Sequence, residues 1–325
     1  MKKFLKTVLT SVLISSFTLT SVGFTSAQEV NTKGISKIVA FGDSASDNGG
    51  INTNGKSGAY NVSKDILALP EVPAGTYLKP GEVYWEQRYS NGKTAVEVLA
   101  EMMDKPLVNY ATGGGTSGYG NYSDWMDTIA YSGVLGQIDK YAESLKGQKI
   151  DPTVLHFVMA GANDYFKFLD YGLEGTIEGV ADQVVVNIET AIRELTALGA
   201  KKFFVPNCMP IKYAPFEMTM GRTEVADTFT KRVNAQLPAM LEGLEKELNI
   251  DITAFNVEES MSNIITNPQA YGITNIVDPC QPTYPEILPA KSNVDEYFFF
   301  DEWHFTRVAH RFLGEAMYSV AKTIK

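Results

Sequence analysis

The chain has 325 residues, with 28 Lys and Arg against 38 Asp and Glu, a formal charge of −10 and 44% hydrophobic residues. That is enough apolar material for a large core, and it excludes a disordered polymer and a collagen-like fibre. The acidic balance excludes a nucleic-acid binder, because binding to a phosphate backbone is carried by clustered Lys and Arg.

In chain order, Met1 to Ala27 comes first. Lys2, Lys3 and Lys6 make a basic start, an apolar and hydroxyl-rich stretch follows, and Thr25-Ser26-Ala27 closes it with small residues. This is the three-part grammar of a secretory signal peptide, cleaved after Ala27. The competing reading is a retained membrane anchor, for which the Ser and Thr content makes the stretch weakly hydrophobic. Cleavage takes away three lysines and no acids, so the charge falls to −13. The expected location is outside the cytoplasm: secreted, periplasmic or at the cell surface.

Residues 28–325 carry no repeat or linker and are expected to form a single domain. Short β-branched or aromatic runs at Lys37 to Phe41, Leu107 to Tyr110, Val154 to Met159, Lys202 to Val205 and Ile252 to Phe255 predict five buried strands. Between them, Lys93 to Met103, Val134 to Leu145, Ile177 to Leu198 and Thr223 to Leu248 have helical periodicity, and a last helix is expected from about Thr306. Pro238 should kink or break the fourth of these. Strand and helix in alternation predict an α/β fold with a mainly parallel sheet covered on both faces. Cys208 and Cys280 either pair or remain buried thiols, and the sequence leaves both open.

Ligands gather at the carboxyl ends of strands in such a sheet. There the sequence places Gly42-Asp43-Ser44, Ala111-Thr112-Gly113-Gly114-Gly115 and Gly161-Ala162-Asn163-Asp164. A serine needs a base to become a nucleophile. Of three histidines, His156 falls inside a strand and His310 inside the last helix, both readable as packed residues. His304 follows Asp301 by three residues, so the carboxylate can hold one ring nitrogen while the other takes a proton from Ser44 Oγ. The Ser44 and Gly114 amides and the Asn163 side chain could donate to an oxyanion. Gly113 to Gly115 also reads as a plain turn, and Asn163 as a helix cap.

Phe41-Gly42-Asp43-Ser44, Asn109-Tyr110-Ala111-Thr112-Gly113-Gly114, Gly161-Ala162-Asn163-Asp164 and Asp301-x-x-His304 together resemble the four blocks of the GDSL, or SGNH, hydrolases. The likeness is greatest to the secreted bacterial lipase, phospholipase and acyltransferase branch. Arg88-Tyr89-Ser90-Asn91-Gly92, Val205-Pro206-Asn207 and Asn267-Pro268-Gln269-Ala270-Tyr271-Gly272 extend it. The resemblance implies a three-layer αβα, flavodoxin-like fold with Ser44, Asp301 and His304 catalytic and Ser44, Gly114 and Asn163 as the oxyanion hole. It favours Gly114 over Gly113 as donor, a choice open by one residue. Ala45 stands where the family name has Leu, and Phe305 where Pro is usual.

Gly113-x-Gly115-x-x-Gly118 formally fits a dinucleotide fingerprint, but no helix pattern opens after it. No histidine cluster suits a zinc site, and no metal or cofactor is required. The alternatives are a carbohydrate acetyl esterase of the same fold and a non-catalytic lipid- or glycan-binding module. The long stretch Asn52 to Tyr89 and Tyr119, Tyr122, Trp125 and Phe298 to Phe300 supply aromatic surface for an acyl chain or a sugar, or simply pack loops. A lipid or small-molecule ester is the expected partner, with transient contact to a lipid surface and no obligate protein partner.

Overall fold

Strand β1 (Lys37–Phe41) is buried along almost its whole length, because its side chains alternate between two cores rather than between core and water. The computed structural model describes residues 34–53, 57–59, 83–127 and 132–324. The leader-like Met1 to Ala27, and Tyr60 and Tyr77 of the aromatic stretch, lie outside the described residues.

Four further strands join β1: β2 (Leu107–Asn109), β3 (Val154–Val158), β4 (Lys202–Pro206) and β5 (Asp251–Phe255). They form one all-parallel sheet in the order β2-β1-β3-β4-β5. Val39, Phe41, Val158 and Phe203 face α2 (Val134–Ser144), α4 (Ile177–Ala197) and α6 (Thr223–Leu248). Ile38, Ala40, Phe157 and Phe204 face α1 (Ala95–Met102), α7 (Val257–Thr266) and α8 (Arg307–Ala321). The result is a three-layer αβα fold, as the alternation of elements implies. Gly314 lets α8 lie directly on α1, since a Cβ there would sit 2.5 Å from Val98.

Several elements differ from expectation. Helix α3 (Ala162–Asp170), helix α7 and a short α5 (Pro215–Thr219) before α6 occupy segments not predicted as helix. Strands β6 (Asn275–Pro279) and β7 (Tyr297–Phe299) form a second, two-stranded sheet. Helix α6 runs through Pro238 without a break. Pro238 is on the solvent side of that helix, where water can serve the carbonyl that loses its donor. Cys208 and Cys280 are buried free thiols in different clusters.

His156 is fully buried in β3, with its ring between Tyr141 and Phe203 and Nδ1 3.2 Å from the Lys202 carbonyl. Burial pushes its pKa down from 6.5 to about 4. The unfolded chain therefore takes up this proton first as the pH falls, so the stability it contributes is complete above about 6.5 and is lost toward 4. His156→Phe should be more stable than the parent at pH 5, relative to its standing at pH 8, by about 2 kcal/mol. Urea unfolding at the two pH values measures this, and an equal effect at both would refute the assignment.

Candidate active site

The carboxyl end of β1 continues into a tight turn in which the Asp43 carbonyl accepts from Ser46 and Asp47 N–H, at 3.0 and 2.9 Å. Asp43 Oδ1 caps the turn through Ala45 N–H, which leaves Ser44 half-buried at its front. Gly42 is required just before it, because a Cβ would meet the Met159 carbonyl at 2.9 Å. Gln137 on α2 grips the same glycine by both backbone groups, accepting from its N–H (2.9 Å) and donating to its carbonyl (2.7 Å).

Ser44 Oγ lies 2.9 Å from His304 Nε2, across 260 residues of sequence. On the other side of the ring, His304 Nδ1 is 2.8 and 2.7 Å from the two Asp301 oxygens. Asp301 is fully buried and accepts further from Trp303 and His304 N–H and from the Tyr84 hydroxyl, 2.8 Å from Oδ2. Burial by itself would raise its pKa, but His304 and these donors outweigh it and hold the carboxyl below its ordinary value. The 300–304 loop is closed by Phe300 N–H on the His304 carbonyl and by the Phe299–Phe305 bridge. Phe305 is buried among Phe298, Phe299 and His310, and Thr306 caps α8 through Ala309 N–H, so the helix starts cleanly without a proline.

The segment before α1 braces this loop. Ser90 Oγ donates to the Phe305 carbonyl, Asn91 Oδ1 accepts from Arg307 N–H, and Gly92 packs where a Cβ would be 2.6 Å from Arg307. Arg88 ties the segment to the body through a buried bidentate pair with Glu97, the residue that also closes the capping box on Thr94. Tyr89 lies against the His304 ring, with centroids 4.9 Å apart.

The glycine-rich turn after β2 approaches from the other side. Asp47 accepts from Gly49, Ala59 and Gly113 N–H, which occupies the Gly113 amide. Among the described residues the amides of Ser44 and Gly114 have no protein acceptor. Gly114 has φ +78°, and a Cβ there would meet Asn121 Oδ1 at 2.3 Å. Asn163 sits in the first turn of α3, its side chain donating to the Gly115 carbonyl at 3.1 Å. Asp43, Asp47 and Asp164 lie behind these groups, and burial pushes each up to about 6 against the N–H donors that stabilise the anions.

A cavity of about 490 Å³ opens onto Ser44 and His304. Of the aromatic residues singled out in the sequence, Tyr84, Tyr89, Tyr122, Trp125 and Phe299 line it. Phe298 and Phe300 are core residues, while Trp85 and Tyr119 are exposed away from its walls. His156 and His310 are likewise elsewhere: His310 Nδ1 accepts from Ala95 N–H, and burial lowers its pKa to about 3. Nothing local in the sequence marks the contacts of Tyr84, Asp47 and Gln137, which join residues 217, 66 and 95 positions apart.

Residues 38–317 match the profile of the GDSL-like lipase/acylhydrolase family, and the chain belongs to that family of enzymes acting on ester bonds. A GDSL esterase/lipase of Arabidopsis thaliana is 25% identical over 86% of this chain and 86% of its own length. Thermolabile hemolysin of Vibrio parahaemolyticus is 27% identical over 87% of this chain, which spans 63% of that protein's length. Among solved structures, an acetyl xylan esterase variant from Geobacillus stearothermophilus covers 90% of this chain and 99% of its own at 12% identity and a TM-score of 0.47.

Gly114→Ala should destabilise the fold by about 2 kcal/mol or more, since a side chain disfavours this left-handed backbone and collides with Asn121. Chemical denaturation measures it, and a neutral result would show that the turn relaxes.

Proposed function

We propose that the chain is a secreted serine carboxylic-ester hydrolase acting on lipid acyl esters, as a lipase, phospholipase or lysophospholipase does. Ser44 is the nucleophile, His304 the general base and Asp301 the partner that fixes the His304 tautomer. As Ser44 Oγ bonds to the ester carbonyl carbon, its proton passes to His304 Nε2. The carbonyl oxygen, now an anion, is held by the Ser44 and Gly114 amides and the Asn163 side-chain amide, each such donor being worth roughly 2.7–4 kcal/mol. Collapse expels the alcohol, which takes the proton from His304, and leaves an acyl-Ser44 intermediate. Water attacks that intermediate by the same route in reverse, and a second alcohol in place of water gives acyl transfer.

The observation that carries the lipid reading is the cavity beside Ser44. Its volume of about 490 Å³ falls in the ordinary range for small-molecule sites, and its walls include Phe166, Met209, Ile211, Ala214 and Met261. An acetyl group would leave most of that apolar wall uncovered, whereas an acyl chain buries it at roughly 25 cal/mol per Å². Signal-peptide cleavage after Ala27 places the enzyme outside the cytoplasm. Amino-terminal sequencing of the exported protein should then begin at Gln28, and a start at Met1 would overturn this part.

The test of function is release of p-nitrophenol from short and long acyl esters, beside fatty-acid release from lysophosphatidylcholine. Wild type should prefer the longer chains and be indifferent to chelator, and Ser44→Ala should lose several orders of magnitude. Preference for acetyl esters would favour the carbohydrate esterase. No turnover of any ester by either protein would leave a binding module.

A further inference from the structure

Tyr89 lies between the catalytic base and the glycine-rich turn. One side of its ring lies against His304, with centroids 4.9 Å apart and planes at 36°. The ring also abuts the glycine turn, where a Cβ on Gly113 would fall 2.4 to 2.5 Å from its Cε2, Cζ and hydroxyl. Tyr84 packs on it in turn, at 5.1 Å and 49°, while donating to Asp301. The backbone that presents both rings is fixed by Trp85 N–H on the Ser90 carbonyl and by the buried Arg88–Glu97 pair.

From this geometry we propose that Tyr89 is a positioning residue with an electrostatic role: its ring face stabilises the protonated form of His304 and holds that ring at its distance from the Gly113–Gly114 turn. The inference rests on His304 acting as the base. When His304 takes the Ser44 proton it becomes a cation, and an aromatic face within about 6 Å of a cation attracts it through the ring quadrupole. The attraction is absent from the neutral ground state, so it lowers the barrier rather than merely tightening binding. Because the contact favours the cation, its loss should be read in the pH profile of kcat/KM.

Asp301 and Ser44 bond to the two nitrogens of His304, Tyr84 meets it edge-on at 6.3 Å, and Asp43 and His310 act on it through space. Among the described residues the Tyr89 ring lies nearer to His304 than that of Tyr84, at 4.9 against 6.3 Å between centroids. Gly113 makes the arrangement possible, since any side chain there would drive the ring away.

The experiment is the pH dependence of kcat and kcat/KM on a soluble p-nitrophenyl ester for the parent, Tyr89→Phe and Tyr89→Leu. Ser44→Ala provides the background. Tyr89→Leu should lower kcat about tenfold with little change in KM, and move the alkaline rise of kcat/KM down by about half a pH unit. Tyr89→Phe keeps the ring face and should restore kcat to within about threefold and return the midpoint. Should Tyr89→Leu fail to fold, Tyr89→pentafluorophenylalanine keeps the shape while withdrawing electron density from the face, and should shift the midpoint down relative to Tyr89→Phe.

A kcat loss without movement of the midpoint, or equal losses in the Phe and Leu variants, would overturn the electrostatic role. Absence of turnover in the parent, or parent activity undiminished by Ser44→Ala, would instead overturn the underlying serine-esterase reading.

Discussion

The 2.9 Å contact between Ser44 Oγ and His304 Nε2 is the constraint on which the site depends. It joins the end of the first strand to the approach of the last helix, so it exists only when the whole sheet is assembled between them. Neither partner is held by its own neighbours alone. Ser44 is set by a capped turn and by the Gln137 amide, and His304 by Asp301, a closed loop and the distant Ser90 hydroxyl that braces it. An error of about 1 Å in either would break a contact whose value depends on reaching distance.

Fixing that contact means burying polar groups, most of which are answered by hydrogen bonds, although Asp43 Oδ2 and Asn91 Nδ2 have no partner among the described residues. Asp47 accepts from three amides and thereby ties the nucleophile turn to the glycine turn. Gln137 donates to two carbonyls and accepts from Gly42. Arg88 and Glu97 pair below the surface and lock the brace under the Asp301 loop. A network of this kind is stiff when complete and costly when broken, because a buried donor or acceptor left alone loses water without replacement. The rigidity surrounds the oxyanion donors, where preorganisation counts most.

Much of the fold was legible in the sequence for a simple reason. Strands buried on both faces read as continuous apolar runs, and β1 begins and ends where its run does. Long amphipathic helices such as α4 and α6 show their period for several turns. Helices α3 and α7 are only 9 and 10 residues long and open on Asn- or Gly-containing segments that look like loops. Strands β6 and β7 are short and irregular in register, so no alternation marks them. Asn163 could be named from its motif and read as a helix cap, but the cap is Gly161 and Asn163 sits in the first turn of α3.

The sequence by itself determined the α/β alternation, the strand ends that carry Ser44, Gly114 and Asn163, and the Asp301-x-x-His304 pair, because all of these depend on local pattern or short spacing. Tertiary structure alone decided that the Gly113 amide is occupied by Asp47 while that of Gly114 is left open among the described residues, and that Tyr84 reaches Asp301. It also decided that Tyr89 sits between His304 and Gly113 and that apolar side chains from separate helices and loops line one cavity. These are contacts between residues tens to hundreds of positions apart. Their geometry is set by how the layers pack, and no local pattern encodes that.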